Sequence, residues 1–222
     1  FNFPSFKGRI FSKTMMAMTK ALTHMAVCGS FEAGIVLKEM GYCKPICIQT
    51  EIGIDEKVFH PDEIQRKRIR SRLKLNCFVI GFCGRLSPEK GVMDLLKACM
   101  NLNGEWKLLC VGDGELRETI KQIFLEARLI DRLIITGQIP HNEIQTYLRA
   151  MDCLVLPSRT TLTWKEQFGL VLPQAMACGV PVIGSNSGAI PEVIGDCGLV
   201  FPESDITALK RHLKLLMMDE MF

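Results

Sequence analysis

The sequence predicts an α/β protein built on a doubly wound parallel sheet. From Asn76 onward, short continuous apolar runs alternate with longer segments of helical pattern. Such apolar runs are typical of strands buried on both faces, and the intervening helices supply the crossovers that parallel strands require. Because these crossovers are right-handed, they wind helices onto both faces of the sheet. A ligand is then expected beyond the carboxyl ends of the strands.

Six strands and five helices follow one another in this region. The strands are predicted at residues 77–84, 106–112, 132–137, 152–157, 180–185 and 198–201. Four of the helices are predicted at residues 88–102, 115–127, 142–150 and 205–218. The fifth, which lies between the fourth and fifth strands, is predicted to end near Cys178.

The first 75 residues are organised differently. A helix is predicted at residues 13–25, a strand and a helix from Ala26, a strand at 45–50 and a loop at 51–63. We interpret residues 1–60 as the tail of a preceding domain with its linker, and residues 61–222 as the main domain. Since the chain begins with Phe, we interpret it as a piece of a longer protein.

One charge run stands out, at residues 65–74, which read QRKRIRSRLK. Such a run could bind anionic lipid or RNA. A solvated helix face is the favoured interpretation, because most charge runs of this length have that role.

The composition excludes several classes of function. The chain has 222 residues, 48% of them apolar, and its formal net charge of +3 is too small to indicate nucleic acid as a partner. No apolar run reaches membrane-spanning length and the start does not read as a secretion signal, so neither a span nor secretion is expected. The ten cysteines form no C-x-x-C pair and accompany only four histidines. We therefore expect no metal site, and reduced thiols in the cytoplasm.

The segment GRLSPEKG follows the first strand of the main domain. Ser87 suits a helix N-cap and Pro88 a first helical position. Lys90 would then lie in the first turn, with Arg85 just before it, where the helix dipole disfavours cations. Two cations at this position indicate a phosphate site, since both side chains suit phosphate. The alternative is a surface pair held by Glu89.

The segment VGDGELR follows the second strand. Gly112 and Gly114 fit a glycine-rich phosphate loop, but Arg117 stands where a dinucleotide fingerprint has its third glycine. A tight strand-to-helix turn is therefore the favoured role.

A second candidate site lies in the segment KEQFGLVLPQAMACG. Pro173 is tolerated only in the first turn of a helix, so a helix begins between residues 170 and 173. Backbone N–H groups near Phe168 and Gly169 would then be free to bind an anion. Glu166 precedes this helix end, and Gln174 follows one turn later. The arrangement indicates either an anion cradle with two polar groups for hydroxyls or a helix cap with Glu166 on the dipole.

Taken in order, these motifs resemble those of glycosyltransferase family 4, retaining enzymes of the GT-B fold that use nucleotide sugars. The resemblance rests on GRLSPEKG, VGDGE, TGQIPHNEI and EQFGLVLPQAMACGVPVIGSNSGAIPEVI. VCGSFEAGIVLKEMGY and EIGIDEKVFHP are similar to the family's segment between its lobes. The resemblance implies that residues 61–222 are the Rossmann-like, donor-binding carboxyl-terminal lobe, and that the amino-terminal lobe is essentially absent.

The resemblance also implies site residues. Three would be catalytic: Arg85 and Lys90 would grip the donor diphosphate, and Glu166 would hold hydroxyls of the donor sugar. The donor-binding residues that it implies are Gly84, Ile139, Phe168, Gly169, Leu170 and Gln174. Backbone groups of residues 168–170 would cradle diphosphate and sugar, and backbone at Ile139 would pair with the base. No metal ion and no cofactor is implied.

Gln174 departs from the family pattern, which has a second Glu that binds the ribose hydroxyls. A carboxylate makes charge-assisted hydrogen bonds, whereas Gln offers one accepting oxygen and an NH2 donor. We expect a loss of about 1 kcal/mol in nucleotide affinity, the scale of one net hydrogen bond.

The function implied is transfer of a sugar from a UDP- or GDP-sugar to a glycan or lipid-linked acceptor, in polysaccharide biosynthesis. This places the protein in the cytoplasm or at the inner membrane face, which the basic amphipathic start FKGRIFSKTMMAMTKAL could contact. Three alternatives stay open: a non-catalytic nucleotide-sugar-binding module, a dinucleotide-dependent dehydrogenase and a protein-interaction domain without ligand. The absent G-x-G-x-x-G counts against the dehydrogenase, and the Arg85–Lys90 cation pair against the interaction domain.

Overall fold

A computed structural model of the chain describes residues 6–50 and 52–218, with side chains from residue 14 onward. Its strands are β1 (Ala26–Cys28), β2 (Ile46–Ile48), β3 (Phe78–Cys83), β4 (Trp106–Val111), β5 (Leu133–Ile135), β6 (Cys153–Leu156), β7 (Val182–Ser185) and β8 (Leu199–Phe201). Its α-helices are α1 (Phe6–Leu22), α2 (Phe31–Glu39), α3 (Glu63–Arg72), α4 (Val92–Met100), α5 (Arg117–Glu126), α6 (Ile144–Leu148), α7 (Val171–Ala177), α8 (Ile190–Ile194) and α9 (Ile206–Met218).

Six strands form the main sheet, in the order β5-β4-β3-β6-β7-β8. All neighbouring pairs are parallel, and β3 lies between β4 and β6, with Ile80 opposite both Leu108 and Cys153. The chain runs outward from β3 to β5 and then returns to β6 to run outward the other way. This confirms the predicted doubly wound parallel sheet and places its switch point between β3 and β6.

Apolar layers cover both faces of this sheet, because successive strand residues point to opposite sides. Ile80 and Phe82 of β3 belong to the layer that packs under α4, α5 and α9. Val79 belongs to the other layer, under α3, α6, α7 and α8. Trp106 and Phe124 anchor the first layer with ring centroids 6.4 Å apart, in an edge-to-face arrangement.

The prediction of a helix at residues 88–102 is wrong for the first turn. Pro88–Lys90 form a separate 3-10 turn, Gly91 has φ +67°, and α4 begins only at Val92. A Cβ at Gly91 would lie 1.7 Å from the carbonyl oxygen of Pro157. The turn therefore packs directly on the chain leaving β6, which a continuous helix could not do. Lys90 is not in the first turn of an α-helix, so the dipole argument for a phosphate beside it does not apply.

Helix α8 was not predicted. It is five residues long and starts with Pro191 in its first turn, a position that proline favours. That proline is the signal in the sequence that would have found it. Helix α1 also begins earlier than predicted, at Phe6. The segment predicted to contact a membrane coincides with α1, and its side chains at residues 6–13 lie outside the described ones.

The basic run in α3 is more than a solvated face. Arg66 and Arg70 both form ion pairs with Asp152, which also accepts a hydrogen bond from the Val79 amide at 2.7 Å. Arg66 donates at 2.7 Å to the carbonyl oxygens of Arg149 and Met151. Two of the cations therefore dock α3 on the amino edge of the sheet, and the solvated interpretation is wrong for them.

The amino-terminal segment carries its own two-stranded parallel sheet, β1 beside β2. Helix α2 is capped by Ser30, whose side chain accepts from the Ala33 amide. Among the described residues, two polar contacts link α2 to the main unit: an ion pair between Glu32 and Lys165, and a hydrogen bond at 2.8 Å from the Phe31 amide to Glu192. The domain boundary at residues 60/61 stays a prediction. In the described part of the chain, no helix is both long and apolar enough to cross a membrane.

Candidate functional site

The carboxyl ends of β3 and β6 lie side by side at the centre of the sheet. Residues 84–91 leave β3 at this edge, and residues 157–170 leave β6 there. Chains that depart to opposite sides open a crevice between them, which is where ligands bind in sheets of this type. The topology alone thus brings the two predicted motifs to one edge.

The loops after β3 and β4 are joined by backbone hydrogen bonds. The Gly84 amide donates to Val111 and the Leu86 amide to Asp113, each at 2.9 Å, and the Leu116 amide donates back to Leu86 at 3.0 Å. These bonds fix the backbone of residues 84–86 before any ligand arrives. The position of Arg85 is therefore set by two strands and not by its own loop alone.

Two glycines make this approach possible. A Cβ at Gly112, where φ is +138°, would lie 2.0 Å from the carbonyl oxygen of Gly84, and one at Gly114 would lie 2.4 Å from that of Leu86. Any side chain there would separate the two loops. This supports the role of a tight turn for the segment VGDGELR.

A cleft of ≈ 320 Å³ opens beside these loops, and Gly84, Arg85 and Ile139 all line it. Three predicted site residues, from the loops after β3 and β5, thus share one cavity. Asp113 also lines the cleft, and its pKa is lowered by the hydrogen bond from the Gly114 amide and by Arg117. Burial raises the pKa of the Cys83 thiol, on the cleft wall, to about 12, so this group is neutral.

Arg85 is exposed at this cleft and pairs with no acid among the described residues. Glu89, the alternative partner, instead accepts from the Ser87 hydroxyl at 2.6 Å. That hydrogen bond is the main cause of a lowered Glu89 pKa, with smaller contributions from the charges of Arg85 and Lys90. Because Lys90 pairs elsewhere, the interpretation of Arg85 and Lys90 as a pair held by Glu89 is wrong.

Lys90 forms an ion pair with Glu166, with Nζ 2.7 Å from Oε2. The same oxygen accepts from the hydroxyl of Ser158 at 2.8 Å. Ser158 is fully buried and Glu166 is 8% exposed. Two catalytic candidates predicted from distant segments are therefore in direct contact, at the carboxyl end of β6.

Oε1 of Glu166 has no hydrogen-bond partner in residues 6–50 and 52–218. The backbone of Glu166 is nevertheless fixed, because its carbonyl accepts from the Ala189 amide at 3.1 Å. A Cβ at Gly188 would lie 1.9 Å from that carbonyl oxygen, so the loop after β7 is pressed against Glu166. One carboxylate oxygen is anchored and the other is available to a ligand.

The turn before α7 presents free amides. Within the described chain, the N–H groups of Phe168, Gly169 and Leu170 donate to no other group, and α7 has no side-chain N-cap. Gly169 has φ +75°, and a Cβ there would lie 2.8 Å from Leu156 and 3.6 Å from Cγ of Glu166. These amides therefore sit against the end of β6, beside Glu166.

Gln174 lies in the middle of α7 and is 4% exposed. Its side-chain amide makes no hydrogen bond to any residue that the structure describes. In the described chain, the side-chain atoms that are buried without a partner are Nε1 of Trp106 and Oε1 of Gln145, and the amide of Gln174 is not one of them. The amide therefore reaches the surface, where it is open to solvent or to a ligand.

A larger cavity of ≈ 540 Å³ lies at the opposite, amino edge of the sheet. It is lined by Arg66, Arg149, Asp152 and Met217 among others, and none of the predicted site residues is near it. Two of its charged groups, Arg66 and Asp152, form an ion pair that docks α3. Among the described residues, no group of three or more His, Cys, Asp or Glu side chains could hold a metal ion.

Comparison with known protein families decides the classification. A family model described as "Glycosyl transferases group 1" matches residues 62–221, which is most of the chain. The chain belongs to the glycosyl transferases of group 1. The resemblance inferred from the motifs is confirmed, and with it the Rossmann-like sheet of a GT-B glycosyltransferase lobe.

Curated relatives within this group are similar over part of their length. A GDP-mannose-dependent alpha-(1-6)-phosphatidylinositol monomannoside mannosyltransferase of Mycolicibacterium smegmatis is 31% identical over 75% of this chain and 46% of its own length. An N-acetyl-alpha-D-glucosaminyl L-malate synthase of Bacillus anthracis is 33% identical over 75% of this chain and 43% of its own. The group 1 chain described here thus spans less than half of either relative.

Solved structures show the same fold. Sucrose-phosphate synthase from Thermosynechococcus elongatus superposes with a TM-score of 0.77 at 27% identity, over 93% of this chain and 53% of that one. The Anabaena protein HepE, solved in complex with UDP, superposes with a TM-score of 0.83 at 21% identity, over 97% and 61%.

The structure of this group 1 chain also adds residues that the sequence did not single out. Ser158 binds Glu166, and the ring of Trp164 lies 4.8 Å from Nζ of Lys90. Ser158 follows the end of β6 by two residues, and Trp164 comes two residues before Glu166. Proximity to Glu166 in the sequence was the only signal available for Trp164.

Proposed function

We propose that the chain is the donor-binding part of a retaining hexosyltransferase, which moves a sugar from a nucleoside-diphosphate sugar to a hydroxyl acceptor. One observation carries the proposal: a Lys90–Glu166 ion pair with a free carboxylate oxygen lies at the switch point of a group 1 domain. Arg85, without an acid partner, opens on the neighbouring cleft. A sugar diphosphate would need cations beside its phosphates and a free oxygen that accepts hydrogen bonds from the hydroxyls of its sugar.

The donor class is proposed as a UDP- or GDP-sugar. The family resemblance implies a nucleotide sugar, and the mycobacterial relative is named as dependent on GDP-mannose. The cleft at Ile139 and Arg85 would take the nucleotide. Gln174 would contact the ribose, and the amides of Phe168–Leu170 the diphosphate and sugar.

In the proposed reaction, the bond between the sugar and the distal phosphate breaks and negative charge develops on the leaving phosphate. Arg85 and Lys90 would stabilise this charge from positions that they hold before the reaction, which is electrostatic preorganisation. Glu166 would orient the sugar through Oε1. Glu166 would thus act as a positioning acceptor and not as a covalent nucleophile, and the anchoring of Oε2 by Lys90 and Ser158 supports the positioning role. The acceptor would attack on the same face, its proton passing to the departing phosphate.

The acceptor is proposed as a glycan or a lipid-linked glycan. The name of the mycobacterial relative includes a phosphatidylinositol monomannoside, which supports a lipid-linked class. Most of the acceptor site would lie in an amino-terminal lobe, since the chain spans less than half of its relatives. We also propose that the protein acts in the cytoplasm, at the inner membrane face. The reaction is proposed to require no metal ion.

One observation favours a second candidate function, a nucleotide-sugar-binding module without catalysis. Gln174 replaces the carboxylate that the family pattern has at this position. The presence of Arg85, Lys90 and Glu166 favours the enzyme, because a site released from catalysis would have no use for all three.

The test is calorimetric titration of the chain with UDP, GDP and ADP in EDTA. We expect micromolar to sub-millimolar binding of one nucleotide and at least tenfold weaker binding by Arg85→Ala, since charge-assisted bonds to phosphate are worth about 1.5–3 kcal/mol. Arg68→Ala is the matched control, because Arg68 is an exposed arginine on α3. Binding only after addition of Mg²⁺, or equal loss in both variants, would contradict the proposal.

A further inference from the structure

We propose that Trp164 is a positioning residue for Lys90, holding its ammonium group in line with the donor diphosphate. The inference rests on the proposed function of the site and names a residue that this function did not include. It starts from one contact: Nζ of Lys90 lies 4.8 Å from the centroid of the Trp164 ring.

Lys90 is held from two sides. Glu166 binds its ammonium at 2.7 Å, and the indole ring of Trp164 covers another side. Its side chain is 23% exposed, so Lys90 is not sealed from solvent. A lysine ammonium has three donors on a flexible four-carbon stem. With one donor on Glu166 and the ring against another side, the other donors have fewer directions open to them.

The loop that carries Trp164 is anchored where it leaves β6. Arg159 forms a two-pronged ion pair with the buried Asp94 of α4, with Nε 2.6 Å from Oδ2. Thr160 gives both its amide and its hydroxyl to Glu203, each at 2.6 Å. These contacts tie the loop to α4 and to the turn between β8 and α9.

Trp164 itself closes a tight turn. Its carbonyl accepts from the Thr161 amide at 2.7 Å, and its amide donates to the Thr161 hydroxyl at 3.0 Å. On the far side, Lys165 is paired with Glu32. Leu162 at the tip is 97% exposed, so the turn does not exist to bury that side chain. The two hydrogen bonds of the turn hold Trp164 where its indole ring faces Lys90.

A tryptophan ring is the best partner for a cation among the aromatic side chains, and the attraction grows when water is excluded. Removing the ring would let the Lys90 stem move and its ammonium rehydrate. The loss should then appear only with ligands that reach Lys90. A nucleoside monophosphate lacks the distal phosphate and would not reach Lys90, so its binding serves as the reference.

The first experiment needs no nucleotide. The chain has two tryptophans, and Trp106 is buried in the core. Indole emission responds to a charge on the ring, so Lys90→Met should change the emission attributed to Trp164. Trp164→Phe identifies that part of the spectrum. An emission unchanged by Lys90→Met would overturn the inference.

The second experiment is a double-mutant cycle read by calorimetry. We expect Trp164→Leu to weaken nucleoside diphosphate binding about tenfold and Trp164→Phe only about twofold. Binding of the nucleoside monophosphate should be unchanged in both. In the Lys90→Met background, Trp164→Leu should cost less than about twofold, because the contact is already gone.

The control is Leu162→Ala, which alters the same turn at its exposed tip and should bind as the parent does. Equal losses for monophosphate and diphosphate, or an equal cost in the Lys90→Met background, would mean a merely structural role and overturn the inference. If the parent and Arg85→Ala behave as proposed while Trp164→Leu binds like the parent, this inference alone fails. If the parent binds no nucleoside diphosphate, the proposed function fails first.

Discussion

At the scale of single residues, Glu166 shows how one side chain can be both fixed and available. Its Oε2 accepts from Lys90 and Ser158, while Oε1 has no partner in the described chain. The hydroxyl of the buried Ser158 donates its proton to Oε2, so the rotamer of Glu166 is set without a ligand. A carboxylate that is already oriented loses little entropy when a sugar hydroxyl binds.

Gln174 is the residue at which the chain departs from its family pattern, and it can be tested by restoring the carboxylate. We expect Gln174→Glu to tighten nucleoside diphosphate binding about fivefold, since a charge-assisted hydrogen bond to the ribose replaces a neutral one and adds about 1 kcal/mol. Calorimetry on the purified variant measures this directly.

The control for that change is Gln167→Glu, which introduces the same charge at an exposed position in the preceding loop. It should leave the affinity unchanged or weaken it through repulsion of the phosphates. Should Gln174→Glu bind no better than the parent, Gln174 does not contact the ribose.

At the scale of elements, the site depends on how closely two loops approach. Gly91 ends the 3-10 turn that carries Lys90, with φ +67°, and packs against the backbone of Pro157 beyond β6. This contact sets the distance between Lys90 and the loop that carries Glu166. The motif GRLSPEKG therefore needs its final glycine for packing as well as for its backbone conformation.

We expect Gly91→Ala to destabilise the protein by more than about 3 kcal/mol, since it adds a backbone clash to the cost of a left-handed alanine. Gly104→Ala is the matched control. Gly104 also has positive φ, at +90°, but its nearest neighbour would lie 3.8 Å from a new Cβ, so about 1 kcal/mol is expected.

Urea unfolding of both variants measures the difference. Similar losses for Gly91→Ala and Gly104→Ala would show that the two loops can separate at little cost. The approach of Lys90 to Glu166 would then have to be maintained by the ion pair itself.

At the scale of the whole molecule, the cysteines report on the core. Cys43, Cys47 and Cys197 are exposed, whereas Cys99, Cys110 and Cys153 are fully buried in the apolar layer under α4, α5 and α9. Burial raises the pKa of Cys83 and Cys110 to about 12, from an ordinary 9.0. The native protein therefore keeps these protons when the unfolded chain has lost them.

This difference predicts the direction of the pH dependence. Above pH 9.0 the native state binds more protons at these thiols than the unfolded chain does. The contribution of the thiols to the free energy of unfolding is therefore fully present below pH 9.0 and is lost as the pH rises toward 12. The slope is at most about 1.4 kcal/mol per pH unit for each thiol. We expect thermal unfolding at pH 10 to be easier than at pH 8.

Variants separate the thiols from other titrating groups. Cys110→Ala should flatten the slope with pH, whatever its effect on absolute stability, whereas Cys197→Ala at an exposed position should leave the slope unchanged. An identical slope in both variants would show that Cys110 does not contribute to the alkaline loss of stability.

The sequence by itself determined the fold class, because buried parallel strands such as β3 and β4 need continuous apolar runs and their period is visible locally. It also selected Arg85, Lys90, Glu166 and Gln174 as candidates, since glycine turns and a proline in a first helical turn restrict the backbone within a few residues. What it could not fix were relations between distant segments. The break at Gly91 comes from the Pro157 backbone, and the docking of α3 comes from Asp152. Lys90 forms its ion pair with Glu166 and not with Glu89, and the ring of Trp164 lies against the ammonium of Lys90. Only the tertiary structure decided these, because each is a contact across many residues whose geometry is set by packing and not by local preference.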